Sequence, residues 1–186
     1  AYTDFISELA TRMRAENKQV QVALHPKTGQ TADRLYQFQD WKALSESADV
    51  LYIMAYGEHY DEGSAGPIAS NEWVGEIIQY ALEQEVPLNK FYLGIPFYGY
   101  DWNINDDSRA RGLTYQDVKQ LMTRYQIAAE WGADTPAPFF SYVDTTNNKH
   151  EVWFENAASV EDKIKIARNT GVGGVTFWRL GGEDPD

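Results

Sequence analysis

The sequence predicts an α/β fold in which the parallel strands of one sheet alternate with helices that pack outside it. Segments with apolar residues three and four positions apart, typical of amphipathic helices, alternate along the 186 residues with short apolar runs typical of buried strands. Such alternation is characteristic of right-handed βαβ units. One segment, residues 98–156, interrupts the alternation and is far longer than an ordinary βα connection. We therefore expect a parallel sheet with a small α+β insertion.

Five segments have the pattern of helices. In the first, Ile6, Leu9 and Met13 recur at helical spacing with charged residues between them. The predicted helices span residues 2–17, about 31–45, 72–85, 114–125 and 159–168. Polar residues suited to capping lie at the starts of the later four: Thr31 or Asp33, Ser70 or Asn71, Thr114 with Asp117 three positions on, and Ser159.

Four apolar runs have the length and composition of buried strands. They are VQVAL (20–24), DVLYIMAY (49–56), KFYLGIPF (90–97) and GVGGVTFW (171–178). Each run ends in, or is followed by, a polar or aromatic residue: His25, Tyr56, Tyr98 and Trp178. In (β/α)8 barrels the active site lies at this carboxyl-terminal end of the strands. Because a closed barrel has eight strands and about 250 residues, the four strands predict half of such a barrel.

Residues 98–156 contain a helix and a hairpin of their own. The helix is the segment 114–125, and in the hairpin, 138–155, two strand-like runs flank the turn residues TTNNK. The sequence therefore predicts two parts. Residues 1–97 and 157–186 form the half barrel, and residues 98–156 form the α+β insertion.

Charge and composition restrict the kind of partner. The chain has 28 acidic and 16 basic residues and a formal charge of −12, which argues against nucleic acid and anionic membranes as partners. No run approaches the roughly 20 apolar residues of a membrane-spanning helix. The chain has no cysteine, which excludes disulfides and thiolate metal sites. Aromatic residues make up 14% of the chain, and the rings of Tyr and Trp suit sugars as well as protein cores.

Four stretches, in a fixed order, resemble parts of a known enzyme family. VQVALHPKT (20–28), MAY (54–56), YLGIPFYGYDW (92–102) and GVGGVTFWRLGGEDP (171–185) resemble the fifth to eighth strands of the chitinase-like glycoside hydrolase family 18. The loop EHYDEGSAGPIAS (58–70) and the hairpin KHEVWFEN (149–156) are most similar to those of bacterial spore-cortex and peptidoglycan N-acetylglucosaminidases. The resemblance covers nearly the whole chain, and it implies an α+β insertion between strands seven and eight.

The resemblance implies cleavage of β-1,4 bonds after N-acetylglucosamine in peptidoglycan or chitin, with the N-acetyl oxygen of the substrate as nucleophile. Tyr56 would then hydrogen-bond the acetamido oxygen and Trp178 would stack beneath the sugar. Met54, Tyr98 and Trp102 would line the same groove. We expect no cofactor and no metal. The partner would be a glycan containing N-acetylglucosamine, and the protein would be extracellular or associated with the spore or cell wall.

Two departures from the family pattern affect this interpretation. The family signature D-x-x-D-x-D-x-E on strand four, whose Glu is the catalytic acid, does not occur in the chain. It would lie before Ala1, so we expect the chain alone to be inactive and to require either the missing half of the barrel or a homodimer partner. The second departure is Gly57, where the family has an Asp that helps to hold the acetamido group.

Alternative interpretations remain for the site and for the whole protein. Tyr56 is also compatible with a core tyrosine whose hydroxyl is satisfied, and Trp178 with a ring packed under a barrel rim. A carbohydrate-binding protein without catalysis is the main alternative function, and Gly57 favours it. An α/β domain of unrelated function is the third.

Several acidic residues suggest metal or catalytic roles but have simpler explanations. Glu58 beside His59 is more typical of a solvated loop than of a metal site, which needs three or four ligands. A polar loop likewise explains Asp101, Asp106 and Asp107 better than calcium binding does. We expect structural roles for Glu183 and Asp184.

Overall fold

The computed structural model describes residues 1–29, 36–106, 108–132 and 135–185. The chain divides into two compact units. The first unit comprises Ala1–Ala55, Trp73–Gly94 and Lys165–Thr176, and the second comprises Tyr56–Glu72, Ile95–Ile164 and Phe177–Asp186. Among the described residues, no helix has the length and apolar character needed to cross a membrane.

Helices and strands alternate as the sequence predicts, and the α/β fold is confirmed. The helices are α1 Tyr2–Ala15, α2 Trp41–Ser47, α3 Asn71–Glu83, α4 Tyr115–Tyr125 and α5 Ala157–Thr170. The strands are β1 Gln21–Leu24, β2 Val50–Ile53, β3 Phe91–Pro96, β4 Gly99–Asn103, β5 Arg111–Leu113, β6 Glu130–Trp131, β7 Pro138–Val143, β8 Lys149–Phe154 and β9 Gly174–Trp178. A short 3₁₀ turn, Leu88–Lys90, leads into β3.

The four strands that the sequence predicts form one sheet, in the order β1-β2-β3-β9. β1 is parallel to β2 and β2 is parallel to β3. The register places Leu24 opposite Ile53 and Ile53 opposite Leu93, and all three side chains are fully buried. Burial alternates along β1 and β2, so one face of these two strands packs into the core and the other is exposed or half-buried.

Helix α2 begins later than the sequence suggests. Its N-cap is Asp40, whose carboxylate accepts a hydrogen bond of 3.0 Å from the backbone N–H of Ala43. The caps considered from the sequence, Thr31 and Asp33, lie outside the described residues. Residues 36–40 precede the helix and are not α-helical, so the predicted start near residue 31 does not hold for the described part of this segment.

Helix α5 begins two residues before the predicted cap. Asn156 is its cap, because its side chain accepts a hydrogen bond from the N–H of Ser159 at 2.9 Å, and the Ser159 hydroxyl in turn accepts one from the N–H of Asn156 at 2.9 Å. Ser159 therefore completes a reciprocal cap from inside the first turn. The helix runs from Ala157 to Thr170.

The second unit contains an antiparallel sheet in the order β5-β4-β8-β7-β6. The predicted hairpin is β7 and β8, in which Phe140 lies opposite Val152. Strand β4, which the sequence analysis did not predict, pairs with β8 over five residues. At one end of this pairing, a Cβ at Gly99 would lie 2.5 Å from the Cβ of Phe154, so only glycine allows the strands to approach this closely.

Helix α4 matches its predicted start and packs on this sheet. The hydroxyl of Thr114 accepts a hydrogen bond from the N–H of Asp117 at 3.2 Å, while the carboxylate of Asp117 accepts bonds from the N–H and hydroxyl of Thr114 at 2.9 and 2.7 Å. Val118 on the helix is fully buried against a cluster that includes Phe140 and Val152. The capping box thus stabilises the first turn of α4, and Val118, in the next turn, packs against the sheet.

We expect Asp117→Asn to lower the free energy of unfolding by about 0.5–1 kcal/mol at neutral pH. The hydroxyl and then the amide of Thr114 bind the carboxylate, and they lower the pKa of Asp117 below its ordinary value. The stabilisation is therefore present above the unfolded-state pKa of about 4 and is lost as the pH falls through the lower folded-state pKa. Urea unfolding of both proteins between pH 7 and pH 2 tests this, and a difference that stays constant over that range would contradict it.

Candidate active site

Four aromatic side chains of the second unit form a row of edge-to-face contacts. Tyr56 contacts Tyr98 edge to face with ring centroids 6.2 Å apart, Tyr98 contacts Tyr100 at 5.4 Å, and Tyr100 contacts Trp102 at 5.4 Å. Tyr100 and Trp102 are two residues apart on β4, so both point to the same face of the strand. β4 therefore continues the aromatic row that begins with Tyr56 and Tyr98.

The hydroxyls of this row remain protonated at neutral pH. Burial raises the pKa of Tyr56 above its ordinary value. Burial also raises the pKa of Tyr98, with smaller contributions from Tyr100, Tyr56 and the carboxylate of Glu155. The pKa of Tyr100 is also raised, again chiefly through burial. Each hydroxyl is therefore uncharged and keeps its proton for hydrogen bonding.

A cleft of about 440 Å³ opens beside this row. The residues that line it include Tyr98, Tyr100, Thr114, Asp117, Trp178 and Arg179, and Tyr56 is not among them. The side chain of Trp178 is 56% exposed, which is unusual for an indole that could have been buried. The cleft thus combines an accessible flat apolar surface with the hydroxyl-bearing side chains of Tyr98, Tyr100 and Thr114.

The backbone at the end of β9 holds Trp178 in position. The N–H of Phe97 donates a hydrogen bond of 2.6 Å to the carbonyl of Trp178, and the rings of Phe97 and Phe177 stack at 4.5 Å. The peptide bond between Trp178 and Arg179 is cis. A Cβ at Gly182 would lie 2.2 Å from the carbonyl oxygen of Phe97. The backbone of the turn after β9 therefore lies so close to the backbone after β3 that no side chain fits between them.

Trp102 has a different environment from the one the family resemblance implies. Its side chain is only 4% exposed and belongs to a buried cluster with Ile68 and Ala110. Its indole N–H donates to the carbonyl of Gly63 at 3.0 Å. Trp102 therefore supports the aromatic row from within the unit and is absent from the residues that line the cleft. Met54 lies in the first unit, half-buried, with its N–H bonded to the carbonyl of Leu24 at 2.9 Å.

The loop after Tyr56 is closed by its own polar groups. Gly57 has a φ of +85°, a conformation that favours glycine, and its N–H donates to the carbonyl of Ile68 at 2.9 Å. Glu58 accepts hydrogen bonds from the N–H and hydroxyl of Ser70 at 2.6 and 3.0 Å. The carboxylate of Glu58 is thus committed to the residue before α3.

The remaining polar residues of this loop also have partners within it or nearby. His59 places Nδ1 3.0 Å from the carbonyl of Pro67. Arg109 donates to the carboxylate of Asp61 at 2.5 Å and lies 3.6 Å from that of Glu62. These contacts explain Glu58 and His59 as parts of a structured loop, and within the described ranges no three His, Asp or Glu side chains cluster as metal ligands would.

The other acidic residues singled out from the sequence have protein partners. The carboxylate of Asp101 accepts a hydrogen bond of 2.7 Å from the Tyr142 hydroxyl and lies 2.8 Å from Nδ1 of His150. Asp106 accepts from the N–H of Ser108 at 2.8 Å. Asp107 lies outside the described residues. Asp184 accepts from the N–H of Ala157 at 3.0 Å, and Glu183 accepts from the N–H of Gly181 at 2.5 Å.

A buried ion pair that the sequence analysis missed lies behind Tyr98. Lys163 donates to Glu155 at 2.8 Å, and each side chain is only 2% exposed. The Ser159 hydroxyl donates to the same carboxylate oxygen at 2.5 Å, and the N–H of Glu155 donates to the carbonyl of Tyr98 at 3.3 Å. Burial raises the pKa of Glu155, and the charge of Lys163 opposes that rise. The pair therefore links α5 to the backbone that carries Tyr98.

The family assignment follows from comparison with known proteins. The model described as Glycosyl hydrolases family 18 matches residues 1–184. The cortical fragment-lytic enzyme of Bacillus subtilis is 32% identical over 185 residues, which is 97% of this chain and 43% of that protein. The chain spans about half the length of the curated relatives it matches.

Solved structures agree with this assignment. The spore cortex-lytic enzyme of Bacillus cereus matches with a TM-score of 0.91 at 28% identity, covering 99% of this chain and 43% of that one. The chitinase of Chromobacterium violaceum matches with a TM-score of 0.91 at 31% identity, covering 99% of this chain and 57% of that one. Since the family model covers nearly every residue, the resemblance drawn from the sequence is confirmed, and the chain belongs to glycosyl hydrolase family 18.

Proposed function

We propose that this chain is the carboxyl-terminal part of a glycoside hydrolase that cleaves β-1,4 linkages after N-acetylglucosamine in peptidoglycan or chitin. The observation that carries the proposal is the exposed indole of Trp178 in a cleft beside Tyr98 and Tyr100. The family membership and the names of its relatives, a cortical fragment-lytic enzyme and a chitinase, support the same substrate class. A protein of this kind would work at the spore or cell wall.

The architecture that we propose is half of a (β/α)8 barrel. Strands β1, β2, β3 and β9 would be the fifth to eighth strands, and residues 98–156 would be an insertion between the last two. The sheet order β1-β2-β3-β9 and the coverage of only about half of each relative support this division. The other half would come from further chain or from a second copy of this one.

The chemistry that we propose is substrate-assisted. The N-acetyl oxygen of the substrate attacks the anomeric carbon while a protein acid protonates the leaving oxygen. Tyr56 would donate a hydrogen bond to the acetamido oxygen and so orient it for attack, and Trp178 would carry the sugar ring. The acid is not supplied by a D-x-x-D-x-D-x-E sequence within these 186 residues. The chain by itself would therefore bind glycan without cleaving it.

Hydrolysis of a chromogenic N-acetylglucosamine oligomer by the full natural protein tests this function. We expect Tyr56→Phe to reduce turnover about ten- to a hundredfold, because it removes one hydrogen bond to a group that gains charge in the transition state. Tyr52→Phe is the matched control, since Tyr52 lies on β2 and its hydroxyl donates to Gln21 at 2.8 Å. Equal turnover by Tyr56→Phe and the wild type would contradict the proposed role.

A carbohydrate-binding protein without hydrolase activity is the second candidate function. It is favoured by Gly57 in place of the family's Asp and by the hydrogen bonds of the neighbouring carboxylate, Glu58, to Ser70. The same assay separates the two functions. Glycan binding without product release by the full natural protein would favour the binding protein.

A further inference from the structure

Arg179 follows the stacking residue Trp178 and lines the same cleft. It is the only cation among the described residues of the cleft wall. Its side chain is exposed, and within the described parts of the chain its guanidinium forms no hydrogen bond or ion pair. Arg179 therefore places a positive charge beside the exposed indole of Trp178, in a chain whose formal charge is −12.

The one carboxylate among the described residues of the cleft wall is that of Asp117, and it has partners other than Arg179. Asp117 uses its Oδ2 atom to accept two hydrogen bonds from Thr114, and its Oδ1 atom lies 3.6 Å from a guanidinium nitrogen of Arg111. Asp117 is therefore paired with a different arginine and serves the cap of α4. Among the described residues, no carboxylate of the cleft wall is paired with Arg179.

The two glycans of the proposed function differ in charge. Chitin is an uncharged polymer of N-acetylglucosamine. In peptidoglycan every second sugar is N-acetylmuramic acid, whose lactyl ether ends in a carboxylate or, when a peptide is attached, leads to the carboxylates of that peptide. A guanidinium binds a carboxylate through two parallel N–H···O bonds, whereas it gains little from an uncharged hydroxyl.

We propose that Arg179 binds a carboxylate carried by the sugar next to the one on Trp178, and so makes the cleft selective for muramic acid glycans over chitin. This inference rests on the proposed function of the cleft. It assigns Arg179 to specificity and not to bond cleavage. Because the side chain is exposed, the gain is moderate, and we expect a preference on the order of tenfold.

The test compares two disaccharides of equal length. The full natural protein is titrated calorimetrically with N-acetylglucosaminyl-N-acetylmuramic acid and with chitobiose, in low and high salt, and chromatography after each titration checks that the disaccharide was not cleaved. We expect the muramic acid disaccharide to bind about tenfold more tightly in low salt and the preference to shrink as salt screens the charge. Equal affinities for the two disaccharides would overturn the inference while leaving the proposed function intact, whereas failure of both to bind would overturn the proposed function.

Variants connect the preference to one side chain. Arg179→Gln should lose the preference and keep its affinity for chitobiose, while Arg179→Lys should keep part of the preference because it keeps the charge. Arg124→Gln is the matched control, since Arg124 is an exposed arginine of α4 outside the cleft wall. A preference that survives in Arg179→Gln would refute the role of Arg179. If Arg179→Gln does not bind chitobiose, the affinities of Arg179→Lys for the two disaccharides are compared instead. Equal affinities of Arg179→Lys for both would then refute a role of the positive charge.

A third ligand identifies the source of the carboxylate. In the disaccharide whose lactyl group is linked to L-alanyl-D-glutamate, the lactyl carboxylate is an amide but the peptide carboxylates are present. If this ligand loses the preference, Arg179 binds the lactyl carboxylate. If it keeps the preference, and Arg179→Gln removes it, Arg179 binds the peptide.

Discussion

Replacing Lys163 by methionine lowers the free energy of unfolding by about 3–5 kcal/mol at neutral pH. The substitution leaves the carboxylate of Glu155 buried with the Ser159 hydroxyl as its remaining side-chain donor. Because burial raises the pKa of Glu155, the loss is largest at neutral pH and decreases as the pH falls and the carboxyl group is protonated in the folded protein. Urea unfolding of the full natural protein at several pH values measures both effects.

Two further variants show whether the effect comes from the unpaired charge. The double variant Lys163→Met with Glu155→Gln should be more stable than Lys163→Met alone, since it removes the charge as well as its partner. Lys42→Met is the exposed control, because Lys42 pairs with Glu85 at the surface, and it should change stability much less. Equal losses of unfolding free energy in Lys163→Met and Lys42→Met would contradict the prediction that breaking the buried pair costs more than breaking the exposed one.

We expect Trp178→Ala to weaken the binding of chitotetraose to the full natural protein about ten- to a hundredfold. Stacking of a sugar on the exposed indole buries apolar area that alanine cannot offer, and the loss of such an aromatic contact costs about 1–3 kcal/mol. Calorimetric titration of both proteins measures the change. The folded state should be little affected, because the side chain is already 56% exposed without a ligand.

Trp131 provides the control for this prediction. Its side chain is 44% exposed on β6, in the same unit but outside the cleft wall. Trp131→Ala should therefore bind chitotetraose as the wild type does. Equal affinities of Trp178→Ala and Trp131→Ala for the glycan would argue against the cleft as the sugar site.

The helices and strands that were predicted correctly are those whose sequence signals, such as a cap or a turn, consist of residues close together in the chain. The cap of α4 depends on Thr114 and Asp117, which are three positions apart, and the hairpin of β7 and β8 depends on the short turn between them. Strand β4 has no such local signal. It begins three residues after Pro96, and its partners on β8 are about 50 positions away, as in the pair Tyr100 and Trp153. Long-range pairing of this kind is decided by packing rather than by propensity.

In the candidate site, too, the motifs could be predicted from the sequence, whereas the exposure of their side chains could not. The motifs around Tyr56, Tyr98 and Trp178 could be recognised in the sequence, but the sequence does not tell an exposed ring from a buried one. Trp102 and Trp178 both occur in motifs of the family resemblance, yet one is 4% exposed and the other 56%. Their difference depends on neighbours such as Gly63, whose carbonyl accepts the indole N–H of Trp102.

The hydrogen-bond and ion-pair partners of Glu58 and Glu155 could not be predicted from patterns in the sequence. Glu58 and Ser70 are 12 positions apart across an irregular loop, and no periodic pattern relates them. Glu155 and Lys163 are eight positions apart, with Glu155 outside α5 and Lys163 within it, so helical spacing does not connect them. Each pairing is determined by how the chain folds back on itself, for which a single sequence contains no direct signal.

The unequal exposure of the indoles gives the protein an optical reporter of its own. Buried Trp41 and Trp102 emit from an apolar environment whether or not a glycan is present, whereas the emission of Trp178 reflects its contact with water. A sugar ring that covers Trp178 would displace this water and shift the emission of that indole alone to shorter wavelength. Glycan binding could therefore be followed by intrinsic fluorescence without a label, with Trp178→Ala as the protein in which the shift is absent.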